Sequence, residues 1–359
     1  MKILYRYIFK QFSKAFIFTS TAFVFLFILI NMVEHLDQLM DKKLNLGQIA
    51  GYYTLLIPST LLVTSPVSAL LSSIMVSGRL SASSELPAIR SAGVSMGQFL
   101  NPFFIAALLI CTINILNSCW IAPAAFASKE RFEKHYFGKN LKRQYEKRNI
   151  HILERGNRIV SIESINPEKS STGIVSIEEF NGAHLTSRID AASMSYNSFD
   201  KNWVLQKAAT RFFIGEDEYF SLMNVKPVKL DLSPRSLKEL NLLPDEMNII
   251  RHYQYLSEKQ AAGFSGLEQA LVKFHTKLSL PFASIIVMLI GVPLSAKKKR
   301  GGLASEISIS LFTGFLFIGL QKTIAIAGYQ GVISPILAAW LPNIIFLCIG
   351  YVIYKTVTD

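Results

Sequence analysis

Long runs without a charged residue constrain this chain more than any other feature of its sequence. Leu44–Gly78 covers 35 residues and Ser91–Ser128 covers 38, and neither contains Asp, Glu, Lys or Arg. A helix of about 20 apolar residues crosses the roughly 30 Å hydrocarbon core of a bilayer. Because half of all residues are also hydrophobic, the runs predict an α-helical polytopic membrane protein.

Six predicted transmembrane helices divide into three before and three after a polar block. They lie near residues 14–36, 53–76, 98–122, 278–296, 303–326 and 336–354. The first resembles a signal peptide because four cations precede it, but its 19 uncharged residues are long enough for a retained span. We therefore predict a 3+3 arrangement, with spans in residues 1–128 and 266–359.

Positive charge predicts the orientation of these spans. Between residues 129 and 268 the chain holds 21 Lys and Arg against 19 Asp and Glu, so most of the net charge of +12 lies beside the apolar runs. This placement argues against nucleic acid as a partner. Short loops rich in Lys and Arg face the cytoplasm, which puts both termini, the loop between spans 2 and 3, and KKKR at 297–300 inside. The polar block is then outside.

The polar block, assigned to residues 129–265, contains two kinds of pattern. Residues 129–149 are charged and aromatic, which predicts a helix leaving span 3. Between Ile150 and Leu232 hydrophobic residues alternate with polar ones between Gly, Asn and Asp turns. This alternation predicts an all-β domain of sandwich or jelly-roll type. Residues 236–262 then return to helical spacing.

A short polar connector, residues 77–93, joins spans 2 and 3. Ser84 is a suitable N-cap, Glu85 suits the first turn, and Gly93 is a natural stop, so a helix is predicted within about 78–93. One interpretation is a solvated turn without further function. In the other, Glu85 and Arg90 are the polar contacts through which a cytosolic ATPase holds the spans.

Polar residues at the opposite ends of the spans form a second candidate group. Glu34 and His35 lie at the end of span 1, Lys42 and Lys43 follow it, and Lys322 lies in span 5. These residues either extend to the membrane interface or contact an anionic lipid headgroup. A cation inside a span is costly, so Lys322 either faces a water-filled cavity or snorkels to the interface.

Motifs for catalysis are missing from the sequence. It contains no G-x-x-x-x-G-K-[ST], no H-E-x-x-H and no G-x-S-x-G, and its six histidines lack metal-ligand spacing. The three cysteines lie in apolar runs, so no disulfide framework is indicated. We predict a chain that is not an enzyme and that has no cofactor or metal of its own.

Four stretches resemble the F/G-type permease subunits of the lipopolysaccharide exporter, the LptF/LptG family. They are SGRLSASSELPAIRSAGVS at 77–95, NWVLQKAATRFF at 202–213, HTKLSLPFASIIVMLIGVPLS with the following KKKRGGLA within 275–304, and SPILAAWLPNIIF at 334–346. The resemblance extends over essentially the whole chain. It implies that residues 77–95 are a coupling helix whose Ser84–Glu85 pair docks into a groove on an ATPase subunit.

The resemblance also implies a cellular role. Such a permease lies in the bacterial inner membrane with its jelly-roll domain in the periplasm, extracts lipopolysaccharide from the outer leaflet, and passes it toward the outer membrane. The implied partners are a cytosolic ABC ATPase dimer, a homologous second permease, a periplasmic jelly-roll bridge protein, lipopolysaccharide and membrane lipids. ATP and Mg would be bound by the ATPase. The alternatives are an ABC permease for a different envelope lipid or lipoprotein, and an envelope scaffold without a motor.

Overall fold

The computed structural model describes residues 2–42, 44–137, 150–154, 157–166, 171–182, 184–197, 199–200, 202–215, 217–230, 232, 243–261, 266–296 and 302–358. Contacts divide the chain into two units. The helical bundle comprises Met1–Phe137, Pro244–His252 and Glu268–Asp359, and the β domain comprises Gly138–Leu243 and Tyr253–Leu267.

Ten α-helices are present among the described residues. They are α1 (Lys2–Glu34), α2 (Leu36–Asp41), α3 (Leu46–Ala82), α4 (Glu85–Ser91), α5 (Met96–Leu116), α6 (Ala122–Phe132), α7 (Ile249–Ala261), α8 (Glu268–Ala296), α9 (Gly302–Tyr329) and α10 (Pro335–Thr358). Two π-helical turns, Asn117–Ile121 and Glu133–Phe137, follow α5 and α6, and a 3₁₀ turn, Pro244–Glu246, precedes α7. Six helical stretches are long and apolar enough to cross a membrane, which confirms the six predicted spans.

The helices extend beyond the apolar windows because capping, rather than hydropathy, decides where they begin. At the start of α3 the Asn45 backbone N–H donates to Gln48 Oε1 at 3.0 Å. At the start of α5 the Gln98 N–H donates to Ser95 Oγ at 3.2 Å, which forms a capping box with the reciprocal bond. The helix predicted to leave span 3 is present as far as Phe137, and residues 138–149 lie outside the described residues.

The connector between α3 and α5 is shorter than predicted. Residues 78–82 belong to α3, so the predicted helix within 78–93 reduces to α4. The last turn of α3 is fixed against α8, since Ser77 Oγ donates to the carbonyl of Val292 and Ser81 Oγ to that of Ala296, both at 3.3 Å. These bonds keep the segment helical where composition alone suggests a loop.

Helices α3 and α8 pack closely at the centre of the bundle. Gly291 of α8 faces Leu70 and Ser73 of α3, where no room remains for a side chain. Ser65 and Ser284 are also hydrogen-bonded across the two helices at 3.2 Å. Small residues bring transmembrane helices into contact in this way, and each buried hydroxyl there requires a partner within the protein.

Two further pairs connect other helices to this centre. The hydroxyl oxygens of Thr19 on α1 and Ser72 on α3 are hydrogen-bonded at 2.9 Å, and both are buried. Asn343 on α10 donates from Nδ2 to the carbonyl of Ser279 on α8 at 2.7 Å. The bundle is therefore held by polar contacts as well as by its apolar clusters.

The β domain is a curled, entirely antiparallel sheet of nine strands. They are β1 (Ile150–Glu154), β2 (Arg158–Ile162), β3 (Ile165–Asn166), β4 (Ser171–Thr172), β5 (Val175–Asn181), β6 (His184–Ala191), β7 (Ser193–Asn197), β8 (Asn202–Ile214) and β9 (Asp217–Val228). The order is β1-β2-β5-β6-β8-β7-β4-β3, and β9 pairs with the length of β8. The predicted inserted β domain is confirmed.

One apolar cluster fills this sheet. Ile152 on β1 and Met194 on β7 belong to the same cluster although their strands are far apart in the sheet order, which shows the curl. Trp203 lies fully within it and donates from Nε1 to the carbonyl of Leu232 at 2.6 Å. Lys207, on β8, has a positive φ of 52°. It lies in the sequence between Leu205 and Ala208, whose side chains are both buried.

Candidate functional site

Helix α4 is a short helix with a well-formed end. Its C-terminus is a Schellman motif, since the N–H of Gly93 donates to Arg90 O at 3.0 Å and that of Val94 to Ile89 O at 3.4 Å. Gly93 has a φ of +86°, a conformation that glycine adopts without steric cost. The predicted stop at Gly93 is confirmed.

The predicted N-cap is wrong in its mechanism. Ser84 precedes α4, but its φ is +61° and its side chain makes no capping hydrogen bond. A capping side chain requires an extended backbone at this position, which the left-handed conformation of Ser84 does not provide. Ser84 therefore turns the chain between α3 and α4, and its exposed hydroxyl is free of that capping role.

The two predicted charges on α4 are both exposed. Arg90 lies in the last turn, where a cation suits the helix dipole. Glu85 is the first helical residue and accepts two hydrogen bonds: Ser83 Oγ donates to Oε1 at 3.0 Å, and the Tyr7 hydroxyl of α1 donates to Oε2 at 3.3 Å. The structure thus places Ser84, Glu85 and Arg90 on one short exposed element.

The opposite side of α4 is anchored in the bundle. Leu86 is 2% exposed and belongs to an apolar cluster with Ile8 and Phe12 of α1 and Phe99 and Phe103 of α5. One buried side chain thus fixes a seven-residue helix that is otherwise mostly exposed. Such an arrangement presents charged groups on a rigid support.

The second predicted group of polar residues is distributed over different elements. Glu34 ends α1 and is exposed, as is Lys42 after α2. His35 donates from Nδ1 to the Asn31 carbonyl at 3.0 Å, and its ring stacks on Phe137. Lys322 lies exposed on α9. Lys43 and the KKKR run at 297–300 lie outside the described residues.

Sequence reasoning missed a buried carboxylate at the end of span 3. Glu133 is 3% exposed, accepts a hydrogen bond from the Tyr52 hydroxyl at 2.8 Å, and lies 3.3 Å from Lys129 Nζ. The rings of Phe132 and Phe137 pack on Tyr52 at 5.2 and 5.8 Å. The only available signal was the i,i+4 spacing of Lys129 and Glu133, which by itself indicates an ordinary surface ion pair.

A cluster of cations at the start of α8 was also missed. Lys277 donates to the carbonyls of Pro244, at 3.0 Å, and Met247. Lys273 forms an ion pair with Asp245. The two lysines are one helical turn apart and therefore lie on one face of α8. From this face they contact the 3₁₀ turn Pro244–Glu246 and the residue after it.

His252 is buried beside these two lysines, and we expect it to make the stability of the folded protein depend on pH. Burial first, and then the charge of Lys277, lower the pKa of His252 to about 3 from the ordinary value near 6.5. The folded protein therefore binds fewer protons than the unfolded chain between these values, and stability falls as the pH drops below about 6.5. At pH 5 we expect a loss of about 2 kcal/mol relative to pH 7.5.

Thermal unfolding of the purified protein in detergent measures this loss. The melting temperature of the native chain should fall between pH 7.5 and pH 5 by more than that of His252→Phe. Comparing the pH difference within each protein removes any constant effect of the substitution and the contribution of other titrating groups. Equal decreases in both proteins would show that His252 does not carry the effect.

No group of three or more side chains suited to a metal is found among the described residues.

The comparisons with known proteins point in one direction. The profile described as "Lipopolysaccharide export system permease LptF/LptG" matches residues 6–356. A curated relative, the lipopolysaccharide export system permease protein LptG of Haemophilus influenzae, is 23% identical over 347 residues, which is 95% of each chain. With its six membrane helices, inserted antiparallel β domain and a match over nearly its full length, the chain belongs to the LptF/LptG family of lipopolysaccharide export permeases.

Proposed function

We propose that this chain is one of two permease subunits of an ABC transporter that extracts lipopolysaccharide from the outer leaflet of the inner membrane. A homologous permease pairs with it, and a separate cytosolic ATPase dimer drives the cycle and binds the ATP and Mg. The lipid leaves through a periplasmic jelly-roll bridge toward the outer membrane. The observation that carries this proposal is the family match over residues 6–356.

The proposed orientation puts both termini and α4 in the cytoplasm and the β domain in the periplasm. Its support is the concentration of Lys and Arg at one set of span ends. In this orientation α4 faces the ATPase, and the end of α1 next to His35 and the C-terminal part of α9 with Lys322 face the periplasm.

Helix α4 is proposed as the coupling helix, with Ser84, Glu85 and Arg90 as its contacts to the ATPase. Support comes from the exposure of all three and from the burial of Leu86 beneath them. A permease responds to nucleotide only through contacts that differ between the states of its motor. A rigid helix joined to α3 and α5 transmits such a difference to two spans at once.

Lipid contact is proposed for the second group of polar residues. Lipopolysaccharide combines many acyl chains with anionic groups, so its path requires an apolar wall and cations near its headgroup. Lys42 and Lys322 are exposed and suit that role, as does Lys43 by sequence, while Glu34 and His35 border the same region of α1. An exposed cation within an apolar helix such as α9 requires either water or a charged partner.

Single-cysteine labelling tests the orientation. In a background without the three native cysteines, Phe199→Cys in the β domain and Ser91→Cys in α4 are both exposed positions. A membrane-impermeant maleimide should label Phe199→Cys in intact spheroplasts and Ser91→Cys only after permeabilisation. The reverse labelling pattern would mean that the protein has the opposite orientation in the membrane, and it would refute the proposal.

Mass spectrometry of lipid retained by the complex tests the cargo. The chain is purified in detergent with the proteins that accompany it, and extracted lipid is identified by mass. Lipopolysaccharide together with an associated ATPase supports the proposal. A different lipid or a lipoprotein indicates an ABC permease for another cargo, and the absence of an ATPase indicates a scaffold; either result overturns the proposal as stated.

A further inference from the structure

Both oxygens of the Glu85 carboxylate are already engaged within the chain. Ser83, two residues before it, donates to Oε1 at 3.0 Å. The second donor is distant in sequence: the Tyr7 hydroxyl on α1 donates to Oε2 at 3.3 Å across 78 positions. Tyr7, near the amino terminus, therefore contacts the carboxylate that α4 presents to solvent.

An apolar cluster to which both α1 and α4 contribute involves the residues next to this pair in the sequence. Ile8 follows Tyr7 in the sequence and Leu86 follows Glu85, and both aliphatic side chains are buried in one cluster with Phe12. Ile8 and Phe12 are fully buried and Leu86 nearly so. The shared cluster holds the two helices in the same part of the bundle, and the hydrogen bond from Tyr7 restricts the direction of the Glu85 side chain.

Two donors restrict the carboxylate without saturating it. An ionised carboxylate has about four acceptor positions, so two donors leave each oxygen free to accept another hydrogen bond. A free glutamate side chain would lose more conformational freedom on docking than one already held in place. A fixed carboxylate is also better suited to the bidentate geometry with which a guanidinium binds.

We propose that Tyr7 is a positioning residue that fixes Glu85 for docking to the ATPase, which makes α1 part of the coupling unit together with α3 and α5. This inference rests on the proposed docking role of α4. It adds a residue outside the connector and extends the transmission path to the first span, whose opposite end carries Glu34.

Removing one oxygen atom separates positioning from a structural role. Tyr7→Phe keeps the ring and deletes only the hydroxyl that Glu85 accepts from. Because Tyr7 and Glu85 are exposed, the bond contributes little to folding, and the melting temperature should stay unchanged. Tyr5→Phe is a matched control, since it makes the same substitution on the same helix without a hydrogen bond to Glu85 among the described residues.

The experiment is a double-mutant cycle read out as affinity for the ATPase. The full-length chain, co-expressed with its permease partner and purified in detergent, is titrated with the ATPase subunit of the same bacterium. We expect Tyr7→Phe to weaken binding about fivefold and Glu85→Ala more than about tenfold, while Tyr5→Phe has no effect. In the Glu85→Ala background, Tyr7→Phe should change the affinity less than about twofold, because its target is gone.

Each departure from this pattern has a distinct meaning. If Tyr7→Phe weakens binding equally in both backgrounds, Tyr7 acts elsewhere and the inference is wrong. If Glu85→Ala weakens binding and Tyr7→Phe does not, the inference fails while the docking role of Glu85 stands. If Glu85→Ala binds normally, the docking role itself is refuted and the inference falls with it.

Discussion

Glu85→Lys is expected to reduce lipid release strongly while leaving the protein folded. Glu85 is exposed at the start of α4, so a lysine there disturbs no buried contact, whereas Leu86 keeps the helix in place. The substitution reverses the charge at the proposed contact with the ATPase and removes the acceptor of both Ser83 and Tyr7. A like-charge contact at a docking surface costs several kcal/mol, so we expect a fall of more than about tenfold in ATP-dependent transfer of lipopolysaccharide to its acceptor.

The measurement compares lipopolysaccharide transfer by the native chain, Glu85→Lys and Glu258→Lys in proteoliposomes supplied with ATPase, ATP and the acceptor protein. Glu258→Lys provides the matched control, since it reverses an exposed helical carboxylate in the other unit of the chain. Normal transfer and normal ATPase co-purification by Glu85→Lys would refute the coupling role of α4. A fall shared by both variants would indicate a general effect of charge rather than a specific contact.

Gly291→Ala is expected to destabilise the bundle at the contact between α3 and α8. A methyl group on Gly291 would overlap Ser73 Oγ and lie 3.0 Å from Leu70 Cδ1 and 3.3 Å from Ile74 Cγ1. All three neighbours are fully buried, so the helices must separate or side chains must leave their preferred rotamers. We expect a loss of about 1–3 kcal/mol, seen as a lower melting temperature in detergent.

A second substitution should restore much of this loss. Ser73→Ala removes the hydroxyl that the new methyl group would overlap, so Gly291→Ala with Ser73→Ala should melt above Gly291→Ala alone. Gly319→Ala on α9 is the control, because nothing lies within 4 Å of the added carbon. If the double variant is no better than the single one, the overlap with Ser73 is not the cause.

The parts of this fold that depend on local pattern could be predicted from the sequence. Six spans follow from apolar length, and the β domain follows from alternation between Ile150 and Leu232. The stop at Gly93 was predictable because its signal lies within one turn of α4. Each of these features is decided by residues close together in the chain.

The parts that depend on distant contacts could not be predicted. The sequence of residues 77–82 contains no signal that Ser77 and Ser81 donate hydrogen bonds to carbonyls of α8. The connector was therefore predicted to be longer than it is. Ser84 has an ideal capping side chain, yet the tight turn after α3 imposes a left-handed backbone on it. The hydroxyl of Tyr7 is likewise unremarkable in sequence, because its partner lies 78 residues away.

The π-helical turns after α5 and α6 allow extra residues in this stretch without changing the direction in which later side chains face. A π turn contains one residue more than a turn of α-helix, and the helical stretch from Met96 to Phe137 contains two π turns. An extra residue in a helix that stayed α-helical would rotate every later side chain by about 100°. The π turn at Asn117–Ile121 absorbs its extra residue locally, so Glu133 still faces Tyr52, which donates to it at 2.8 Å.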